Sequence, residues 1–354
     1  MASHQSRYAT DIGDFTPDSH AKPNMLLPPL RFRHVPSQSP TYSIPMSLDP
    51  MVFPSTPTTR GDIDALRLIH HFTISTCKSI SDADNTITSW RDNVPQLAFE
   101  HDFLLSCVLA VTCLHLAILH PSDAYRNAAL YYHTEALARF RLHLSSITPK
   151  NLSSVFAFAC LMPLFSFGIY CTPLRRLDTL SGILEIFNLM KFIAALVKSS
   201  ARMLHPKQFP QVGVPEVNNP ATTFPEEIEA SLTQLSDWNN TITSDEALRG
   251  TYGAAIDLMR TSFLIAHEQP GKKMAVMPFP IQCPVEYVDK LMAKDPLALA
   301  ILAHYAVIVH WLRGEHIWMR GWGKDIVDAV KENVGDQKEW LDCIEWPMGQ
   351  VQRV

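Results

Sequence analysis

Charge is scarce in this chain. Of 354 residues, 18% are Asp, Glu, Lys or Arg against 47% hydrophobic, and the balance is slightly acidic at −5. A protein whose main task is wrapping nucleic acid would show a basic patch or a strongly basic domain, so no direct nucleic-acid contact is expected. Paired cysteines are lacking as well. The seven cysteines run from Cys77 to Cys343 at irregular spacings and none forms a C-x-x-C pair, which suits reduced intracellular thiols and neither a disulfide frame nor a thiolate metal site. The opening residues, "MASHQSRYATDIGDFTPDSH", have no apolar stretch of the secretory kind, which points inside the cell, to nucleus or cytoplasm.

The signatures of common chemistry are missing too. There is no G-x-S-x-G, G-x-G-x-x-G, G-K-[ST] loop or H-E-x-x-H, so nucleophile elbows, dinucleotide and triphosphate cradles and zinc-peptidase helices have no foothold. The nearest approach to an acidic magnesium cluster is "DADN" from Asp82, set in a polar turn and without the spacing a diphosphate site needs. No cofactor and no metal site is expected.

What is present is apolar helix. Residues 1–60 are crowded with Pro, Ser and Thr and lack a helical period, so they read as a disordered arm; from residue 61 to 354 the pattern is helical almost throughout. "EHDFLLSCVLAVTCLHLAIL" is apolar on every side, as a helix inside a bundle must be. The next segment places Ala129, Tyr132, Ala136, Phe140 and Leu144 on one stripe, with Glu135 and Arg139 paired on the other side. Thr148 and Pro149 then read as cap and first position of the segment Asn151–Leu174, which contains no charged side chain. That stretch is long enough to span a bilayer. Pro163 near its middle, and Lys150 at one end facing Arg175 and Arg176 at the other, give it no clear orientation in a membrane, and a buried core helix is the preferred reading. A proline-rich loop follows over His205–Pro225. Helices then resume with Ile228, Leu232, Leu235 and Trp238 in register, a Thr243–Glu246 capping box, and an Asp295 cap before Pro296. The fold class is all-α, a helical bundle.

Polar groups inside apolar helices are the candidate site residues: His115, Tyr131, Tyr170 and His310 as hydrogen-bond donors, with Phe165 as a wall of the apolar segment. His101, Thr112 and His115 share a helix face within about 60°, whereas His304, His310 and His316, six apart, cannot on one continuous helix. "EHIWMRGWGKDIV" reads as a tight turn pinned by Trp318 and Trp322.

The ordered apolar, His and aromatic positions of "LRLIHHFTISTCKSI" through "VFAFACLM", together with "HIWMRGWGKDIVDAV" and "WPMGQV", resemble the C-terminal regulatory domain of the fungal zinc-cluster transcription factors, closest to the sterol uptake control branch. The likeness covers roughly Gly61 to Val354. It implies an all-helical bundle whose buried apolar cavity binds a sterol-like ligand that controls gene activation. Members of that family carry a cysteine-rich DNA-binding module; here the first cysteine is Cys77, so this chain is expected to lack its own zinc cluster.

Two functions follow from the resemblance. In one, the chain is a ligand-responsive transcription regulator of a metabolic or biosynthetic pathway, with an apolar small molecule and other regulatory proteins as partners and no membrane span. In the other, the same cavity serves a cofactor-free cyclase or pericyclase of fungal secondary metabolism, which would work through proximity and a few hydrogen bonds.

Overall fold

The structure, a computed structural model, describes residues 60–81, 84–143, 147–172, 178–200, 225–268 and 273–353. The expected arm over 1–60 and the loop over 205–225, each apart from its last residue, lie outside the described residues, as do Leu144 and Asp82. Among the described residues every regular element is helical. The helices of twelve residues or more are α1 (Arg60–His71), α2 (Asp102–Leu119), α3 (Asp123–His143), α4 (Leu152–Tyr170), α5 (Thr179–Ser200), α6 (Glu226–Ile242), α7 (Glu246–Glu268), α8 (Pro296–Trp311) and α9 (Trp322–Val334).

Three of these helices make the core. Every residue of α8 from Leu297 to His310 is buried, and α2 and α4 are buried along most of their length. All three are apolar all round, and only a helix surrounded by other helices can satisfy that composition in a folded domain. α2 lies against α3 and α4, α4 against α5, and α8 against α7 and α9. The Ile317–Met319 turn reaches across to α4. By length and composition α2, α4 and α5 could each cross a membrane; in the fold their apolar windows are 72%, 78% and 44% buried against neighbours.

α3 is an outer helix. Only Ala129, Ala136 and Phe140 are fully buried, and Arg139 pairs with Glu135 at 3.1 Å on the far side. Pro163 does not interrupt α4. It costs one ladder bond, since proline has no N–H to give the carbonyl four residues back, and packing on every side holds the helix together.

The caps divide. Asp295 caps α8, its Oδ1 accepting from the Leu297 and Ala298 N–H groups at 3.1 and 3.3 Å, with Pro296 first in the helix. α4 begins three residues later than expected, after Asn151, whose carboxamide oxygen accepts from the Thr148 N–H at 2.8 Å. Ahead of α7 the cap is Asp245, accepting from Ala247 N–H at 2.9 Å. The Thr243 N–H there donates to the Asn239 carbonyl at 3.1 Å, so the Glu246 side chain finds no free donor and the expected Thr243–Glu246 box does not form.

Candidate functional site

The densest meeting of polar and aromatic groups surrounds His115 on α2. Its Nδ1 lies 3.0 Å from Thr76 Oγ1 and 3.3 Å from His71 Nε2, and its ring stacks on Trp318 with centroids 5.5 Å apart. Burial first, and His71 second, hold the imidazole well below its ordinary range, at about 4, so it is neutral at neutral pH and one of its ring nitrogens is committed to this network. Trp318 in turn donates its indole N–H to Ser79 Oγ at 3.0 Å. Gly168 of α4 leaves room for that ring: a methyl there would stand 2.6 Å from it.

Tyr170 belongs to the same joint. Its ring lies 4.2 Å from that of Trp322 and its hydroxyl donates to the Asp178 carbonyl at 2.9 Å. Burial, then Asp178 and Glu185, push the phenol up to about 12. The Trp322 N–H donates to the Phe167 carbonyl at 2.9 Å, near the end of α4 where the last carbonyls have no helical partner. Trp318 of the turn before α9 and Trp322, the first residue of α9, therefore seat on α2, α4 and Ser79, and Gly321, with φ 83°, shapes the turn between them. α9 then crosses α8 at Gly323, where a methyl would lie 2.5 Å from His310 Cβ and 2.6 Å from the Ala306 carbonyl.

The other candidates lie elsewhere. His310 Nε2 is 3.3 Å from the Arg353 carbonyl and serves to tie down the C-terminal residues. Tyr131 is 60% exposed and leans on Tyr132; as a hydrogen-bond donor into a buried pocket it is corrected, because one step from the buried stripe of α3 turns a side chain about 100° towards water. Phe165 is buried and stacks face to face on His133 of α3, centroids 4.0 Å apart and planes within 6°. His101, Thr112 and His115 do not meet despite their shared face. The His101 ring lies tilted at 5.7 Å from that of Phe103, and Thr112 bonds back to the Val108 carbonyl of its own helix at 2.7 Å.

The structure thus brings His115 and Tyr170 together through two tryptophans and gives Tyr131, Phe165 and His310 separate partners. A cleft of about 100 Å³, lined by Ala117, Pro121, Ser122, Asp123, Arg126 and Thr172, touches none of them. Among the described residues no group of three or more His, Cys, Asp or Glu side chains could hold a metal ion.

Two further buried histidines were not among the candidate site residues. His304 joins Ser231 Oγ through Nε2 at 2.7 Å and the Ala300 carbonyl through Nδ1 at 2.8 Å. A serine–histidine pair suggests a nucleophile and its base, but both residues are buried and the second nitrogen is bound to backbone, so the pair is core structure. His133 is the other; its ring carries a nitrogen, Nε2, that is buried without a protein partner. The seven-residue spacing from Arg126 to His133 to Phe140 was its only signal in the sequence.

Residues 67–200 match the family described as the fungal specific transcription factor domain. The chain is 24% identical over 312 residues to a Zn(2)-C6 fungal-type transcription factor of Gibberella zeae, an alignment covering 80% of this chain and 61% of that protein. It is 24% identical over 269 residues to the Zn(2)-C6 fungal-type transcription factor afumD of Aspergillus fumigatus, covering 72% and 69%. Over 133 residues it is 28% identical to Sterol uptake control protein 2 of Candida albicans, covering 37% of this chain and 18% of that protein. The chain spans less than two thirds of the first of these relatives. The segment from within α1 to the end of α5 thus matches the fungal specific transcription factor domain, in a chain similar over most of its length to Zn(2)-C6 fungal-type transcription factors.

Proposed function

We propose that this chain regulates transcription inside the cell, in nucleus or cytoplasm, and that its helical domain responds to an apolar small molecule. The observation that carries the reading is the match of residues 67–200 to the fungal transcription factor domain. The likeness of 133 residues of the chain to a sterol uptake control protein supports a sterol-like or terpenoid ligand. The physical setting agrees with it. α2 and α4, at the centre of the matched segment, offer apolar side chains and few polar ones, the lining that recognises a greasy molecule by burial and orients it with one or two hydrogen bonds. The two-tryptophan joint gives such a ligand a way to be felt, since Trp318 and Trp322 tie the matched segment to the helices that follow it. On this reading the chain's partners are the ligand and other regulatory proteins.

Deleting the gene tests the proposal. The expected outcome is a changed set of transcripts, restored by the wild-type chain. Unchanged transcripts together with the loss of a single end product would overturn it in favour of catalysis.

A further inference from the structure

α3 and α4 face each other through matched heptads. Steps of seven turn a helix by only about 20°, so Arg126, His133 and Phe140 share one face of α3, and Phe158 and Phe165 share one face of α4 with Thr172 one step beyond. The helices run in opposite directions and the rings meet in order. His133 stacks on Phe165 at 4.0 Å, and Phe140 on Phe158 at 4.1 Å. Phe103 of α2 closes the inner end, edge-on to Phe158 at 5.6 Å. At the outer end, where the third pair would stand, Arg126 and Thr172 instead line the cleft of about 100 Å³.

Two of the polar atoms that the fold buries without a partner lie on this seam. Among the described residues, Arg126 Nε and His133 Nε2 are both buried with no hydrogen-bond partner. Such atoms are rare, and each cost calls for a partner that the protein itself does not supply. We propose that the α3–α4 seam is the ligand site of the domain: the cleft beside Arg126 and Thr172 is its mouth, and an apolar molecule with one alcohol group enters by parting His133 from Phe165 and gives its hydroxyl to His133 Nε2. The inference rests on the ligand-responsive reading above and adds where the ligand sits and what it must carry.

The chemistry selects an alcohol over an acid. Arg126 already holds the Asp123 carboxylate at 2.6 Å, so an incoming carboxylate would meet a satisfied cation and a like charge. A neutral imidazole nitrogen can instead accept from a hydroxyl, and the hydroxyl oxygen can accept in turn. The seam can part without breaking the main packing of α3, which lies on α2 and far less on α4. Ala129, Ala136 and Phe140 are its fully buried residues, and a saturated fused-ring body needs the two faces to part by more than the thickness of one aromatic ring, about 3.5–4 Å.

The test uses cholestanol and cholestane, which differ only in the hydroxyl, with the full chain and two variants. His133→Phe keeps the stack on Phe165 and removes the nitrogen; Arg126→Lys keeps the charge beside Asp123 and removes Nε. Binding is followed by the rise in melting temperature with ligand concentration. His133→Phe should melt no lower than wild type, because a buried unpaired polar atom has gone, yet bind cholestanol about tenfold more weakly. Its affinity for cholestane should match that of wild type. Should His133→Phe fail to fold, Arg126→Lys decides, with a weaker affinity for cholestanol expected and an unchanged one overturning the assignment. Wild-type affinity for cholestanol in His133→Phe would overturn the seam and leave the ligand-responsive reading standing. Failure of the wild-type chain to bind either probe would overturn both.

Discussion

Acid should unfold this protein well before its carboxylates are titrated. Burial lowers His115, His133 and His304 to about 4 each, while the same side chains in the unfolded chain take up a proton near 6.5. For a group whose folded pKa is depressed, the unfolded state binds more protons between the two values. Stability is therefore complete above about pH 6.5 and falls as the pH drops towards 4. Each such shift is worth on the order of 3 kcal/mol, most fully for His304, which is wholly enclosed. Three together approach the whole stability of an ordinary domain. His71 and His310 are lowered by burial as well and act in the same direction. The assay is urea unfolding followed by far-ultraviolet circular dichroism at pH 7, 6 and 5. With three protons taken up on unfolding, the slope should approach 4 kcal/mol per pH unit near pH 5. His304→Gln should remove about one proton from that slope, whatever it costs at pH 7. A stability that stays flat between pH 7 and pH 5 would refute the reasoning, because it would mean that these imidazoles are not neutral and enclosed in the folded chain.

Phe165→Ala should cost about 3–5 kcal/mol in the same urea assay, the range for an aromatic ring removed from solid core; a loss under about 1 kcal/mol would show that the ring already borders open space. Gly168→Ala should destabilise by about 1–3 kcal/mol through overpacking and alter tryptophan fluorescence, since the new methyl stands 2.6 Å from the Trp318 ring. Gly323→Ala should cost more, because its methyl meets backbone of α8 as well as the His310 side chain; equal losses in the two variants would show that α8 and α9 can slide apart.

Much of the helical framework was legible in the sequence because its strongest signals are local. α2, α4 and α8 announce themselves by runs without charge, and Asp295 before Pro296 is a cap whose partners lie two and three residues away. The misplaced starts of α4 and α7 have a common cause. Thr148, Asn151, Thr243 and Asp245 all carry cap-forming side chains, and which oxygen turns inward depends on the preceding turn, here on the end of α6 holding the Thr243 N–H at the Asn239 carbonyl. The site residues were harder because their roles are tertiary. Nothing in the sequence near His115 indicates that Trp318, 203 positions away by numbering, stacks on it. Tyr131 and Tyr132 are chemically alike, and only the phase of α3 against α2 and α4 decides which faces water. His133 reads as an ordinary polar residue on an outer helix until Phe165 covers it.

The uncharged stretch from Asn151 onwards can be assigned to core or lipid by asking which of its faces tolerates charge. In the fold α4 is enclosed, yet Ser153, Cys160 and Leu164 are only half-buried, and at spacings of seven and four they fall on one narrow stripe. Phe158, by contrast, is 2% exposed and lies between Phe140 and Phe103. A lysine at Leu164 can lay its methylenes along the stripe and lift its ammonium to water, so Leu164→Lys should cost no more than about 1–2 kcal/mol and leave detergent-free yield close to that of wild type. Phe158→Lys would bury an unpaired ammonium and open a cavity where three rings meet, which a domain of ordinary stability does not survive. In a bilayer the two positions, near the middle of the same helix, would face comparable hydrocarbon, and either lysine would carry a similar insertion penalty of about 2.5–3.5 kcal/mol. Expression of both variants, with soluble and membrane fractions assayed side by side, separates the cases. A large difference between them in the soluble fraction is the expected result; equal behaviour, with the wild-type chain recovered from membranes, would move α4 out of the core and into lipid.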